Sequence, residues 1–220
     1  MKKNNDSTLK IGYTALCAIV CWFALIGQFV LMVENRVVPV PDTILRFFSF
    51  FTILTNILVA IAFTVNIRPA TGFTILKSFN SLTALLLYIL VVGIIYNVVL
   101  RSLWSPTGMQ KLVDELLHLV IPLLFLLYWI VFTIKEKLPW TKLWLWLLYP
   151  AAYLVFILTT GSFTKFYPYP FVDVNVLGIS AVLVNSVYLF LFFLVLSALF
   201  IFLSRKINTT GPACIINRFM

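Results

Sequence analysis

The 220 residues contain a single histidine, and its setting is unusual. Asp114-Glu115-Leu116-Leu117-His118-Leu119-Val120-Ile121-Pro122-Leu123, running on to Tyr128-Trp129, begins a long apolar stretch. It nevertheless holds two acids, the histidine and a proline, in a chain of which only 10% is charged. On a helix Asp114, His118 and Pro122 fall at i, i+4 and i+8, on one stripe. Ionisable groups at the edge of a bilayer core are costly and so are candidates for a functional site. A second polar stripe, Ser49, Thr52 and Asn56, interrupts a segment otherwise rich in Phe, Ile, Leu and Val. A threonine hydroxyl is a poor nucleophile until a base within hydrogen-bond reach takes its proton, and an imidazole can be that base. These residue types permit attack by Thr52 with His118 as base and Asp114 orienting the ring. Asn56 or a freed backbone amide would then donate to an oxyanion.

Each of these residues also has an ordinary structural reading. A threonine or serine in a membrane helix commonly bonds its own i−4 carbonyl or joins neighbouring helices. Asp114 suits a helix N-terminal turn whether or not it serves a histidine. Asn56 must face the bundle interior on either reading, because an amide is costly in lipid. Arg46 and Arg101 could hold an anionic head group or a carboxylate, and arginines at membrane boundaries also snorkel to the interface.

The elements that must position these groups follow from composition. A chain 62% hydrophobic, with mean hydropathy +1.07, is an integral membrane protein. Its apolar runs are long enough to cross a core of ~30 Å. The expected fold is all-α, six transmembrane helices in one domain over 11–204, with tails at 1–10 and 205–220. The helices are expected near residues 11–33, 44–67 and 79–100, then a fourth that continues to 134, and near 143–160 and 174–203. Asp42 or Thr43 is expected to cap the second. Arg68-Pro69 stops that helix, and a turn with Gly72 follows. Thr107 and Gln110 have capping-box spacing for the fourth, against a competing start at Ser105-Pro106. Gly161 is expected to end the fifth, and Pro122 and Pro150 are candidate kinks.

Lysine and arginine choose the orientation. Of 16 basic residues, 11 lie in the N-terminus, the second and fourth loops and the C-terminus, which places both ends in the cytoplasm. The net charge of +9 then reports topology and not a nucleic-acid partner. Under this topology the second, fourth and sixth helices enter from outside. Thr52 lies ~10 Å and His118 ~9 Å below that boundary, so they can share a level. Asn97, Arg101 and, somewhat deeper, Asn185 belong to the same half.

The remaining features have plainer readings. Cys17 and Cys21 at i, i+4 read as small packing residues, and Cys214 lies in the polar tail. Tyr128, Trp129, Trp140, Trp144, Trp146 and Tyr149 read as an aromatic interface belt. Tyr167-Pro168-Tyr169-Pro170-Phe171 reads as a second belt in preference to a lid over a cavity. No phosphate loop, nucleotide fingerprint or metal-spaced cluster of ligands occurs, so no cofactor is expected.

The blocks Arg46 to Asn56, Asp114 to His118 with Pro122 and Tyr128-Trp129, Tyr149-Pro150-Ala151-Ala152-Tyr153, and Tyr167 to Phe171 together resemble a family of small bacterial six-span membrane proteins. That family is similar to the animal androgen-induced protein and its androgen-dependent relative that regulates tissue factor pathway inhibitor. The resemblance implies an intramembrane threonine hydrolase that cleaves fatty-acid esters of hydroxy fatty acids. The threonine of its motif matches Thr52 after Phe50-Phe51, and its histidine matches His118 ahead of Pro122, at a slightly shorter spacing than in the animal proteins. Thr55, three residues beyond Thr52 and on nearly the same face, is a rival nucleophile. The expected partners are the lipid bilayer of the cell membrane and a lipid-like acyl ester. The alternative is a non-catalytic bundle that binds or transports a small amphiphile through the same cavity.

Overall fold

The computed structural model describes residues 2–67 and 75–206. The expected stop at Arg68-Pro69, the turn at Gly72 and the tail from 207 onward with Cys214 lie outside them. The described residues are helical and include no strand. α1 is Lys2–Glu34, α2 Val40–Ser49, α3 Phe51–Ile67, α4 Phe79–Ile95, α5 Gly108–Glu115, α6 Ile121–Phe132, α7 Lys142–Thr164 and α8 Val174–Lys206. A wide π-type turn, Tyr96–Leu100, continues α4, and another, Leu116–Val120, joins α5 to α6 in one span. Five helical segments are long and apolar enough to cross a membrane, and α2 with α3 makes a sixth if the bent pair is one span.

That bend departs from the sequence expectation of one continuous second helix. The chain turns by 74° at Phe50, which is extended (φ −80°, ψ 125°). No glycine or proline marks the break. The Ser49 carbonyl, which a continuous helix would pair with the Ile53 amide, accepts instead from the Tyr153 hydroxyl of α7 at 2.8 Å. An aromatic cluster fills the elbow: Phe51 packs on Tyr149, Tyr153 and Phe193 with centroids 5.0–6.0 Å away.

Helix association in lipid depends on close packing and interhelical hydrogen bonds more than on burial from water. α1 lies along α3, and Cys17, Ala18, Cys21 and Ala24 on α1 and Ala60 and Ala62 on α3 are all small and buried. Both cysteines are free and belong to this packing. α4 is the most enclosed span and runs through the centre. Its Tyr88 hydroxyl donates to the Trp146 carbonyl at 2.8 Å, the acceptor that Pro150, having no N–H, cannot serve from within α7.

Several local expectations change. α2 begins at Val40 behind Pro39, so Asp42 is in its first turn and the Thr43 hydroxyl bonds back to Pro39 at 3.1 Å. Thr107 precedes α5 without a side-chain cap bond, and the Gln110 amide reaches Gln28 on α1 at 2.8 Å. α7 runs past Gly161 to Thr164, where Lys165 adopts the left-handed cap (φ 58°). α1 starts at Lys2, ahead of residue 11. α8 is interrupted at Gly178 (φ 75°, ψ 158°). Tyr128, Trp129 and Trp146 are buried in the core and only Trp140 and Trp144 are exposed, so the inner aromatic group is mostly packing and not a belt.

Near the α4 start, Lys135 is buried 3.9 Å from the centroid of Trp129 and donates to the Thr133 hydroxyl at 2.6 Å and to the Trp129 carbonyl. Burial lowers its pKa from 10.5 to about 8. Between those values the unfolded chain holds the proton and the folded chain does not, so stability rises with pH from about 8 to 10.5 and is flat below. Thermal unfolding in detergent across this range is expected to show that rise relative to Lys135→Met; parallel curves for the two proteins would refute it.

Candidate active site

Thr52 owes its place to the break at Phe50. Beyond an extended residue, the amides of Phe51, Thr52 and Ile53 have no carbonyl one turn earlier in α3, whose first bond runs from the Leu54 amide to the Phe50 carbonyl at 3.1 Å. Such a terminus carries free N–H groups and partial positive charge. The Thr52 amide donates to the Tyr169 hydroxyl at 3.2 Å.

His118 sits in the wide turn between α5 and α6, and Pro122 shapes its surroundings. Lacking an N–H, Pro122 leaves the His118 carbonyl, four residues back, without that donor. The widened register, seen in the Ile121 amide bonding to the Leu116 carbonyl, deprives Leu117 as well. Two asparagines take these acceptors. Asn97 Nδ2 donates to the His118 carbonyl at 3.2 Å and Asn56 Nδ2 to the Leu117 carbonyl at 3.4 Å. Each amide also bonds its own helix at 2.8 Å, Asn97 to Gly93 and Asn56 to Thr52. Gly93 permits the approach of α4, since a Cβ there would lie 3.1 Å from the His118 carbonyl oxygen.

The ring tautomer follows from its partners. Nδ1 is 2.9 Å from the Asp114 backbone oxygen, which can only accept, so Nδ1 holds the proton. In the neutral ring Nε2 then offers its lone pair, and it lies 3.4 Å from Thr52 Oγ1. Asp114 Oδ1 is 3.4 Å from Nδ1, and Oδ2 accepts from the Tyr96 hydroxyl. Tyr96 also stacks on the imidazole, centroids 3.9 Å apart and planes 16° apart. Asp114, His118 and Thr52 therefore meet, on the orientation a base needs.

Tyr169, read from sequence as part of a belt, closes the group from the other side. Its hydroxyl lies 3.3 Å from Thr52 Oγ1 as well as accepting from the Thr52 amide. One consistent direction of donation runs from Tyr169 to Thr52 to His118 and on to the Asp114 carbonyl. Burial of the phenol raises its pKa, so it keeps its proton at neutral pH. The contacts to Oγ1 are long, as resting catalytic contacts commonly are. The segment bearing Tyr169 is strapped down: Phe50 packs on Phe166 and Tyr169, Arg46 sits 4.6 Å over Phe166, and Asn185 Nδ2 donates to the Phe171 carbonyl at 2.9 Å. A methyl at Gly161 would collide with Tyr167, so this glycine is a seat for the strap and not a helix stop. Pro168, Tyr169 and Pro170 border the cavity, as the lid reading of Tyr167 to Phe171 expects; a tyrosine between two prolines was its signal.

Other candidates fall elsewhere. The Ser49 hydroxyl bonds back to Leu45 at 2.7 Å and the break separates it from Thr52. Thr55 faces the Tyr149 hydroxyl at 3.2 Å and is fully buried. The Asn56 amide hydrogens are engaged by carbonyls, which leaves it no donor for an oxyanion, and its Oδ1 is buried without a partner. The donors near Thr52 Oγ1 are the Tyr169 hydroxyl and the α3 terminus. Arg101 pairs with Glu115 at 2.6 Å.

Thr52, His118, Asp114 and Tyr169 line a cavity of about 370 Å³ that Gln28 and Gln110 also border. Thr52 and Tyr169 border a second, apolar cavity of about 80 Å³ between α4, α7 and α8. Comparison of the chain with family models, curated proteins and solved structures finds no match.

The asparagine caps yield a double-mutant test. Asn97→Leu leaves the His118 carbonyl unpaired and is expected to destabilise the protein by about 1 kcal/mol. Pro122→Ala restores an N–H to that carbonyl, so the cost of Asn97→Leu should shrink in its background. Additive losses, measured by unfolding in detergent, would mean that Asn97 does not compensate for the proline.

Proposed function

We propose that the protein is a cell-membrane hydrolase of lipid-like fatty-acid esters, such as fatty-acid esters of hydroxy fatty acids, with Thr52 as nucleophile. The observation that carries this reading is the contact of Thr52 Oγ1 with Nε2 of a histidine whose Nδ1 lies 2.9 Å from the Asp114 backbone oxygen. His118 Nε2 takes the Thr52 proton as Oγ1 attacks the ester carbonyl carbon. The resulting oxyanion is met by the Tyr169 hydroxyl and the positive end of α3. Collapse expels the alcohol, which receives the proton from His118 and leaves an acyl-threonine. Water then attacks with His118 as base, releasing the acid and restoring Thr52. Asp114 and the Tyr96 ring hold the imidazole, and no cofactor takes part. Both termini face the cytoplasm in this reading, and the cavity opens toward the outer leaflet. The resemblance of the Thr52 and His118 blocks to the six-span threonine hydrolases points the same way.

Purified protein in detergent is expected to hydrolyse fatty-acid esters and to react with a fluorophosphonate at Thr52. Thr52→Ala and His118→Ala should each reduce turnover by about a thousandfold or more and should not be additive. Tyr169→Phe removes one oxyanion donor and is expected to cost ~100-fold in kcat. Folded variants that retain the parental rate would end the proposal. Saturable binding of a fatty acid by parental protein that hydrolyses no ester would favour the amphiphile-binding alternative, which the same large cavity also suits.

A further inference from the structure

The two cavities have different chemistry and meet at the candidate nucleophile. Thr52, Tyr96, Leu100 and Tyr169 border both and form the partition. On the smaller side every neighbouring polar group is already engaged: the Ser186 hydroxyl donates to the Val182 carbonyl at 2.7 Å and the Tyr153 hydroxyl to the Ser49 carbonyl at 2.8 Å. What remains is aliphatic and aromatic wall, including Val91, Val92, Leu154, Leu189 and Phe190. A cavity of this kind stays dry and accepts apolar matter.

The smaller cavity also has a thin wall toward the outside of the bundle. Leu154, Ser186 and Phe190 border both it and a groove along the seam of α7 and α8. That groove spans roughly 15 Å of helix, from Leu154 to Trp144 on α7. Residues 144–154 and 183–194 include no charged side chain, and Leu183, Val187 and Leu191 are about half exposed. A surface of that composition on a membrane helix pair faces lipid. Leu154, Ser186 and Phe190 are therefore what stands between the hydrocarbon phase and the apolar cavity that reaches Thr52. On the far side of the partition, the larger cavity offers Gln28, Gln110, Asp114 and His118.

We infer that the cavity between α4, α7 and α8 is the site for the alkyl chain of the acyl group, which enters from the bilayer through the seam of α7 and α8. The alcohol half of the ester, with any polar group it bears, then occupies the larger cavity. The inference rests on the hydrolase reading for the position of the ester carbonyl. The chain site itself is testable without turnover.

Full-length Thr52→Ala protein in phosphatidylcholine vesicles is irradiated with a decanoic acid bearing a terminal diazirine, and the labelled peptides are mapped. Label is expected on residues 91–95 of α4, where Val91 and Val92 are buried and out of reach of bulk lipid. Excess decanoate should compete it away, and Leu154→Trp, which fills the passage, should abolish it. Label confined to exposed helix faces, or α4 label that survives Leu154→Trp, overturns the proposal. In active protein, Leu154→Trp is expected to lower the ratio of decanoate-ester to acetate-ester turnover by about tenfold or more, and Phe190→Ala to shift the preference to longer chains. An unchanged ratio in both variants also overturns it. Specific α4 labelling in a protein that hydrolyses nothing would instead leave the chain site standing and remove the hydrolase.

Discussion

Prolines in two spans leave backbone carbonyls that water cannot reach, and the architecture of the site follows from who answers them. In lipid an unpaired carbonyl is expensive, so each must be met from inside the protein. Pro122 and the widened turn before it expose the carbonyls of His118 and Leu117, answered by Asn97 from the turn that continues α4 and by Asn56 from α3. Pro150 exposes that of Trp146, answered by Tyr88 from α4. These bonds are directional, unlike the apolar packing around them. They set the rotation and height of the His118 turn against α3 and α4, and of α7 against α4. The imidazole reaches Thr52 because its own backbone is gripped from two sides.

The wide turns serve the same end. An α-helix repeats its side chains at fixed angles, and one extra residue in a turn rotates everything beyond it. Tyr96–Leu100 in the α4 span and Leu116–Val120 between α5 and α6 face each other, and each starts or contains a ring of the stacked pair Tyr96 and His118. Tyr96 thereby both covers the imidazole and binds the Asp114 carboxylate that lies beside it. The strap from α7 to α8 completes the enclosure with Tyr169, held by aromatic contacts and by two asparagines, Asn175 to the Lys165 carbonyl at 2.8 Å and Asn185 to the Phe171 carbonyl.

Much of this was legible from residue types. The long apolar runs define the spans, because the thickness of a bilayer leaves few alternatives. The i, i+4 spacing of Asp114 and His118 and the similar depths of Thr52 and His118 are consequences of helix rise and pitch. What was not legible came from tertiary contacts. The break at Phe50 has no proline or glycine and depends on the Tyr153 hydroxyl of a distant helix taking the Ser49 carbonyl. Asn56 has the residue type of an oxyanion donor, but the widened turn on another span claims its amide for the Leu117 carbonyl. Tyr128 and Trp146 have the composition of an interface belt, yet pack inside because α4 and its neighbours enclose them.

The break also explains why the Thr52 hydroxyl is placed differently from most others in the bundle. In this bundle Thr14, Ser49, Thr64, Thr83, Thr133, Thr160 and Ser186 all donate to the carbonyl four residues earlier, at 2.5–2.9 Å. That bond is the default for a hydroxyl in a membrane helix, and it occupies the proton that a base would have to remove. For Thr52 the corresponding carbonyl belongs to Phe48, on the other side of a 74° bend. The bend removes the competing acceptor, frees the Thr52 amide at the head of α3, and turns the hydroxyl toward His118 and Tyr169. A straight second helix of the same sequence would hold Thr52 at a similar depth with its proton already committed, which makes the elbow, and not the threonine alone, the basis of its contact with His118.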